Sequence, residues 1–231
     1  MSHFKEVFSK SPVILPVIHV ESMEQTLRNA EIAREAGCDG VFLINHSINY
    51  NNLLKIHQTL SSVFRDWWIG VNCLDLHPQE IFCRIEKDVD GIWVDNAMID
   101  ERCQDQPAAD MIKEKQLQTG WRGLYFGGVA FKYQRHVESL AQAARLATKY
   151  MDVVTTSGPG TGQAALLEKI FVMKKALEDF PLAIASGITP DNVHSYVNVA
   201  DCFLVATGIS KNFTELDPAL VKALIKEAGR A

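Results

Sequence analysis

The 231-residue sequence is short of several things, and each shortage argues against a class of function. Its five cysteines (Cys38, Cys73, Cys83, Cys103, Cys202) are scattered and odd in number, and no two form a Cys-x-x-Cys pair. That spacing argues against a disulfide framework and against a compact cysteine zinc or redox site. No basic cluster runs longer than Lys174–Lys175, and the formal net charge is −5. Nucleic acid is therefore not the expected partner, because backbone-phosphate binding needs clustered Lys and Arg. No apolar run approaches the roughly 20 residues that span a bilayer, so no transmembrane segment is expected. The opening "MSHFKEVFSK" lacks the apolar centre of a secretory signal, and a reduced, cytoplasmic setting is the expectation. Two motifs are also missing. Without a Gly-x-Gly-x-x-Gly turn after the first strand, an open doubly wound sheet becomes the weaker choice, and without a Gly-x-Ser-x-Gly elbow a Ser-His-Asp hydrolase loses its support.

What is present is an alternation. Short apolar runs cover residues 13–19, 40–45, 68–72, 91–94, 123–130, 151–155, 182–185 and 202–206. They are rich in Val, Ile and Phe with little polar alternation, the texture of parallel strands buried on both faces. Amphipathic segments separate them. Ser22 caps "SMEQTLRNAEIAREAG", with Gln25 as a capping-box partner and Gly37 as the stop. "HPQEIFCRIEK", "TPDNVHSYV" and "DPALVKALIKEA" each place Pro near a helix start. Eight strand–helix pairs at about 29 residues each predict a single (β/α)₈ barrel domain over residues 1–231. The fourth connection, residues 96–121, is the longest and most polar, which suits a lid or an interface.

In such a barrel the active site lies at the carboxyl ends of the strands. The last three strand ends carry the clearest signal: "TTSGPGTGQ" (155–163), "AIASGITPDNV" (183–193) and "LVATGISKN" (204–212). Glycine lets backbone N–H groups approach an anion closely, and loops after the last strands commonly hold phosphate in this fold. Gly160, Thr161, Gly162, Ser186, Gly187, Ile188, Thr207, Gly208 and Ile209 are the candidate phosphate-binding residues. The bland alternative is that Gly187 and Gly208 only turn the chain.

Asp95, Lys132 and His19 are the candidate catalytic residues, as a proton-transfer carboxylate, a phosphate-neutralising or Schiff-base lysine, and an imidazole. An ion pair between Asp95 and Lys132 is expected from their adjacent strands. Asn45, His46, Asn72 and Asn96 are candidates for orienting a polar ligand. The four tryptophans (Trp67, Trp68, Trp93, Trp121) read as core packing. No compact metal-ligand motif occurs, and neither metal nor cofactor is expected. Self-association stays open.

The motifs "SGPGTG", "SGITPDNV" and "ADCFLVATG" resemble the BtpA family of barrel proteins. The match rests on Ser157, Gly158, Thr161, Gly162, Ser186, Gly187, Thr189, Pro190, Asn192, Val193, Ala200, Asp201, Val205 and Thr207, with Asn72 in "GVNCL". A more distant similarity is to phosphoribosylanthranilate isomerase among the ribulose-phosphate-binding barrels. This chain has neither the Cys at the end of strand one nor the Asp at the end of strand six that would be that enzyme's base and acid. The resemblance implies a site for a small phosphorylated metabolite, such as a sugar phosphate or phosphoribosyl compound, and an isomerase, lyase or transferase. It also implies a rival of another class, because BtpA proteins are associated with photosystem I biogenesis: a non-catalytic assembly factor for a membrane complex.

Overall fold

The structure, a computed structural model, describes residues 2–230. Eight strands form it: β1 (Val13–Val20), β2 (Gly40–Asn45), β3 (Trp68–Asn72), β4 (Gly91–Val94), β5 (Leu124–Gly128), β6 (Val153–Thr156), β7 (Leu182–Ala185) and β8 (Cys202–Val205). Each pairs in parallel with the next, and β8 returns to β1 to close the barrel. Every strand residue is buried, which is why the runs show no polar alternation.

The helices are α1 (His3–Val7), α2 (Met23–Glu35), α3 (Tyr50–Val63), α4 (Pro78–Ile81), α5 (Pro107–Thr119), α6 (Leu140–Ala147), α7 (Leu167–Leu177) and α8 (Pro218–Glu227). The regular alternation is reduced in two places. After β3 the helix is only α4, and after β7 "TPDNVHSYV" forms a 3₁₀ turn at Val193–Ser195. There the Asn192 side chain accepts from Thr189 N and donates to Gly187 O, closing the segment on itself before a longer helix can form. The expected capping box is also only half formed. Ser22 accepts from Gln25 N, but the Gln25 side chain donates to His19 O and Thr214 O instead, tying α2 to the loop after β8.

Inside the barrel, Phe42, Trp68, Trp93 and Phe126 pack as tilted and edge-to-face rings at centroid separations of 5.0–5.9 Å. Small residues on β7 and β8 (Ala183, Ala185, Cys202) face them. The α1 segment, read in the sequence only as polar, supplies the floor. Phe4 and Phe8 enter the interior cluster against Phe126 and Trp68 and close the amino end. Trp121 is packed in the core with its N–H on Val89 O, and Trp67 donates to Cys38 O.

The amino end has a repeated clasp. Asp39, Asp90, Asp152 and Asp201 each stand one residue before an even-numbered strand. Their carboxylates accept the backbone N–H of Ile14, Ile69, Tyr125 and Leu182 at 2.8–2.9 Å, at the start of the preceding odd-numbered strand. Asp39 is further paired with Arg230 at 2.7 Å, both side chains largely buried, and Arg230 also reaches Pro12 O.

Asp39→Ala strands both the Arg230 guanidinium and the Ile14 N–H. It is expected to lower the unfolding free energy in a urea titration by about 3–5 kcal/mol. A loss under about 1 kcal/mol, the level of an exposed pair, would show the clasp to be dispensable.

Candidate functional site

With its amino end plugged, the barrel opens at the carboxyl ends of the strands. A cavity of about 270 Å³ lies there. His19, His46, Asp95 and Lys132 line it together with Thr161, Gly162, Ser186 and Thr207. Val17, Ile44, Leu74, Trp93, Leu204 and Phe213 supply the apolar part of its wall. The three candidate catalytic residues are therefore brought together, and each of the three glycine-bearing loops contributes at least one side chain.

His19 and His46 stand edge to face at 4.8 Å, and Phe213 covers both at 4.1 and 5.2 Å. Burial among these rings brings the His19 pKa down to about 4, with the neighbouring His46 and Lys132 adding to the effect. His46 is lowered for the same leading reason, desolvation, with Lys132 adding to it. Both imidazoles are neutral at pH 7. Asp95 moves the other way, its pKa raised mainly by burial and held back by a hydrogen bond from Asn72 Nδ2 at 3.0 Å. That bond engages Oδ1 only, and Oδ2 takes no hydrogen bond among the described residues. A half-buried carboxyl with a raised pKa and one uncommitted oxygen is suited to proton transfer.

The other candidate orienting residues act at one remove. Asn72 holds Asp95 and is itself buried. Asn45 braces the loop after β3, donating to Asp75 Oδ1 and Ile48 O and accepting from Leu74 N. Asn96 is exposed and accepts only from Met98 N, in a local turn.

Lys132 lies four residues beyond the end of β5, because the chain turns at Ala130 and again at Tyr133, both with positive φ (49° and 64°). The expected ion pair with Asp95 does not form. The displaced backbone carries the lysine toward the β6 loop, where its N–H donates to Ser157 Oγ at 2.7 Å and its Nζ to Thr161 Oγ1 at 3.3 Å.

The three glycine-bearing loops interlock. Ser186, a non-glycine residue at φ 107°, accepts from Gly158 N and donates to Gln163 O. Gly187 presses on the Gln163–Ala164 backbone and Gly208 on the Ile188 carbonyl, so a methyl group at either would overlap main chain. Ile188 and Ile209 have buried side chains, and the Ile209 N–H is already donated to Ala206 O. Gly160 is buried behind the rim, under the Gln163 side chain.

Three participants escaped sequence reasoning. Phe213 is a lone aromatic in the polar "SKNFTEL", and that oddity was its only signal. Gln134 donates to Asp95 O and Gly128 O, and Lys169 donates to Ala130 O and Ser157 O. Both contacts bridge residues distant in sequence, and no local pattern announces them. Residues 96–106 are held down rather than free: buried Glu101 pairs with Arg135 and accepts from Glu138 N, and Gln106 ties back to Asp100 and Cys103. No helix among the described residues is long and apolar enough to cross a membrane.

Residues 81–230 match the sequence profile of the BtpA family. No curated protein matches the chain. Among solved structures it is similar to (S)-3-O-geranylgeranylglyceryl phosphate synthase from Thermoplasma acidophilum, in complex with its substrate sn-glycerol-1-phosphate. That likeness has TM-score 0.69 and 13% identity, covering 99% of this chain and 97% of that one. Tryptophan synthase subunit alpha from Legionella pneumophila gives TM-score 0.68 and 14% identity over 100% of both chains. Phosphoribosyl anthranilate isomerase from Thermus thermophilus gives 0.63 and 10%, covering 94% of this chain and 98% of that one. At these identities the likeness is one of fold.

The lowered His19 pKa has a direct readout. Imidazole nitrogen shifts followed by NMR are expected to show His19 still neutral at pH 5.5, well below the ordinary midpoint near 6.5. Between pH 6.5 and about 4 the unfolded chain takes a proton there that the folded one refuses. This residue's contribution to stability is therefore full above pH 6.5 and is lost as pH falls toward 4. An ordinary titration midpoint would mean that the ring cluster is open to water.

Proposed function

The chain belongs to the BtpA family, and on that premise we propose that it is an enzyme acting on a small phosphorylated metabolite, of isomerase, lyase or transferase type. One observation carries the reading. A single cavity at the carboxyl end of the barrel has Thr161, Gly162, Ser186 and Thr207 from the last three loops on its lining, together with His19, His46 and Asp95. Phosphate is held by the loops after β6, β7 and β8. Gly162 and Gly187, at φ 73° and 70°, turn the backbone there as only glycine does cheaply. Lys132, hydrogen-bonded to Thr161, supplies the positive charge beside that anion. The fold likeness to a synthase holding sn-glycerol-1-phosphate supports the placement by analogy alone.

The remainder of the ligand extends toward Asp95. Burial raises its pKa, so the carboxyl holds a proton more readily than an ordinary aspartate, and Asn72 fixes its orientation through Oδ1. The two imidazoles are neutral at pH 7, so each can accept a proton or share a hydrogen bond without bringing charge into the cavity. Phosphate binding places negative charge near His46 and Asp95 and raises the pKa of both, so the ligand favours the protonated carboxyl.

The test is a thermal-shift titration with inorganic phosphate, sn-glycerol 1-phosphate and ribose 5-phosphate. Binding to the native state raises the unfolding midpoint by mass action, and Thr207→Val is expected to weaken the effect. Once a turned-over substrate is found in a metabolite screen, Asp95→Asn should keep phosphate binding and lower kcat by about a hundredfold or more. If no phosphorylated probe shifts the midpoint, the enzyme reading is wrong and a non-catalytic assembly role takes its place.

A further inference from the structure

A second and larger cavity, about 630 Å³, lies between the loops after β5 and β6, beside the barrel mouth and sharing Lys132 with it. Its charged lining is all of one sign: Lys132, Arg135 and Lys169, with His136 and no aspartate or glutamate. Arg135 is already neutralised by Asp100 and Glu101. Lys169 is not. Its Nζ donates to the carbonyls of Ala130 and Ser157, each at 2.6 Å, and has no carboxylate partner among the described residues. Burial lowers its pKa to about 8, so it is still largely charged at neutral pH.

The position of this lysine is costly for the fold. It occupies the first turn of α7, whose amino end has no side-chain cap, so an ammonium sits at the positive end of the helix. Glu168 in the same turn does not line the cavity. The rest of the wall is mostly apolar, with Phe131, Val137, Leu140, Ala165 and Leu166. A half-buried cation with two of its three N–H groups on carbonyls has one left for a ligand. The apolar wall asks for a hydrocarbon body attached to a single negative group.

We infer that this cavity is a binding site for a small organic monocarboxylate with an apolar body, its carboxylate on Lys169 and its body against Val137, Leu140 and Leu166. The site adjoins the proposed phosphate cradle, shares Lys132 with it, and differs in the rest of its lining. Because Lys169 clasps Ala130 and Ser157, which flank the Lys132 segment, the ligand sits against the backbone that positions Lys132.

The test uses the full chain, with 4-phenylbutyrate and its uncharged analogue 4-phenylbutanamide as probes, followed by NMR. The carboxylate is expected to shift the signals of Val137, Leu140 and Ala165 saturably at millimolar concentration, and the amide to bind about tenfold more weakly, the scale of one charge-assisted hydrogen bond. Lys169→Met should abolish the difference between the two probes. Lys169→Met also removes a clasp between loops, so Leu140→Trp, which fills the cavity and leaves Lys169 in place, is the second variant and should abolish binding of both. Thr207→Val, at the barrel mouth, should leave 4-phenylbutyrate binding unchanged while weakening phosphate, which separates this site from the phosphate site. Equal binding of acid and amide, no saturable shift with either, or binding that survives Leu140→Trp would each overturn the assignment.

Discussion

Four carboxylates at the amino end of the barrel set the register on which everything above them depends. A parallel strand displaced by one residue turns its inward side chains outward. Asp39, Asp90, Asp152 and Asp201 oppose this by gripping an N–H in the first two residues of the neighbouring odd strand. At three of the four clasps the aspartate N–H also donates to the carbonyl of the residue whose N–H it accepts, giving two bonds between the same pair of residues. With four of the eight strand interfaces fixed in this way, His19 and Asp95 reach the mouth with inward side chains. The aromatic interior then fills the space between clasps and mouth, and Phe4 and Phe8 close it from below.

At the opposite end the constraint is of another kind. The loops after β6 to β8 are locked through contacts that leave no room for a side chain: Gly158 on Gln163 within the loop after β6, Gly187 on Gln163 and Ala164, and Gly208 on Ile188. Ser186 keeps a strained φ of 107°, a conformation that persists only where surrounding contacts impose it. Its hydroxyl is engaged to Gly158 N and Gln163 O, so those contacts are visible. The glycines thus have a packing role that does not depend on any ligand, and it would preorganise the proposed phosphate cradle. Loops locked before the ligand arrives lose little entropy on binding.

The barrel was legible in the sequence because burial on both strand faces removes polar residues from the runs, and Gly and Pro mark their ends. Strand boundaries agree to within two residues for all eight runs, and a two-residue overshoot at the end of β5 explains the main error at the site. The run at 123–130 continues in apolar residues past Gly128, but the strand stops there because its backbone turns at Ala130. Lys132 was therefore expected at a strand end facing Asp95, and it sits instead on a loop against Thr161. The α1 floor was missed because two phenylalanines in a polar decapeptide leave no periodic signal. Gathering His19, Asp95 and the three loops in one place needed only the rule that strands end at one rim. Their protonation states needed the cavity, because burial and not residue type sets their direction.

Ion pairs at the amino end of the barrel tie distant segments of the chain together. Asp39 pairs with Arg230 and Asp201 with Lys174 there. At the carboxyl end Asp95, Lys132 and Lys169 make no ion pair among the described residues, although each is at least half withdrawn from water. A buried charge without a counter-charge costs free energy that the fold alone does not recover. Such charges cluster where a ligand completes them. Asp39 and Asp201, paired, help to secure the register of the barrel, whereas the unpaired Asp95, Lys132 and Lys169 line the two cavities proposed as binding sites.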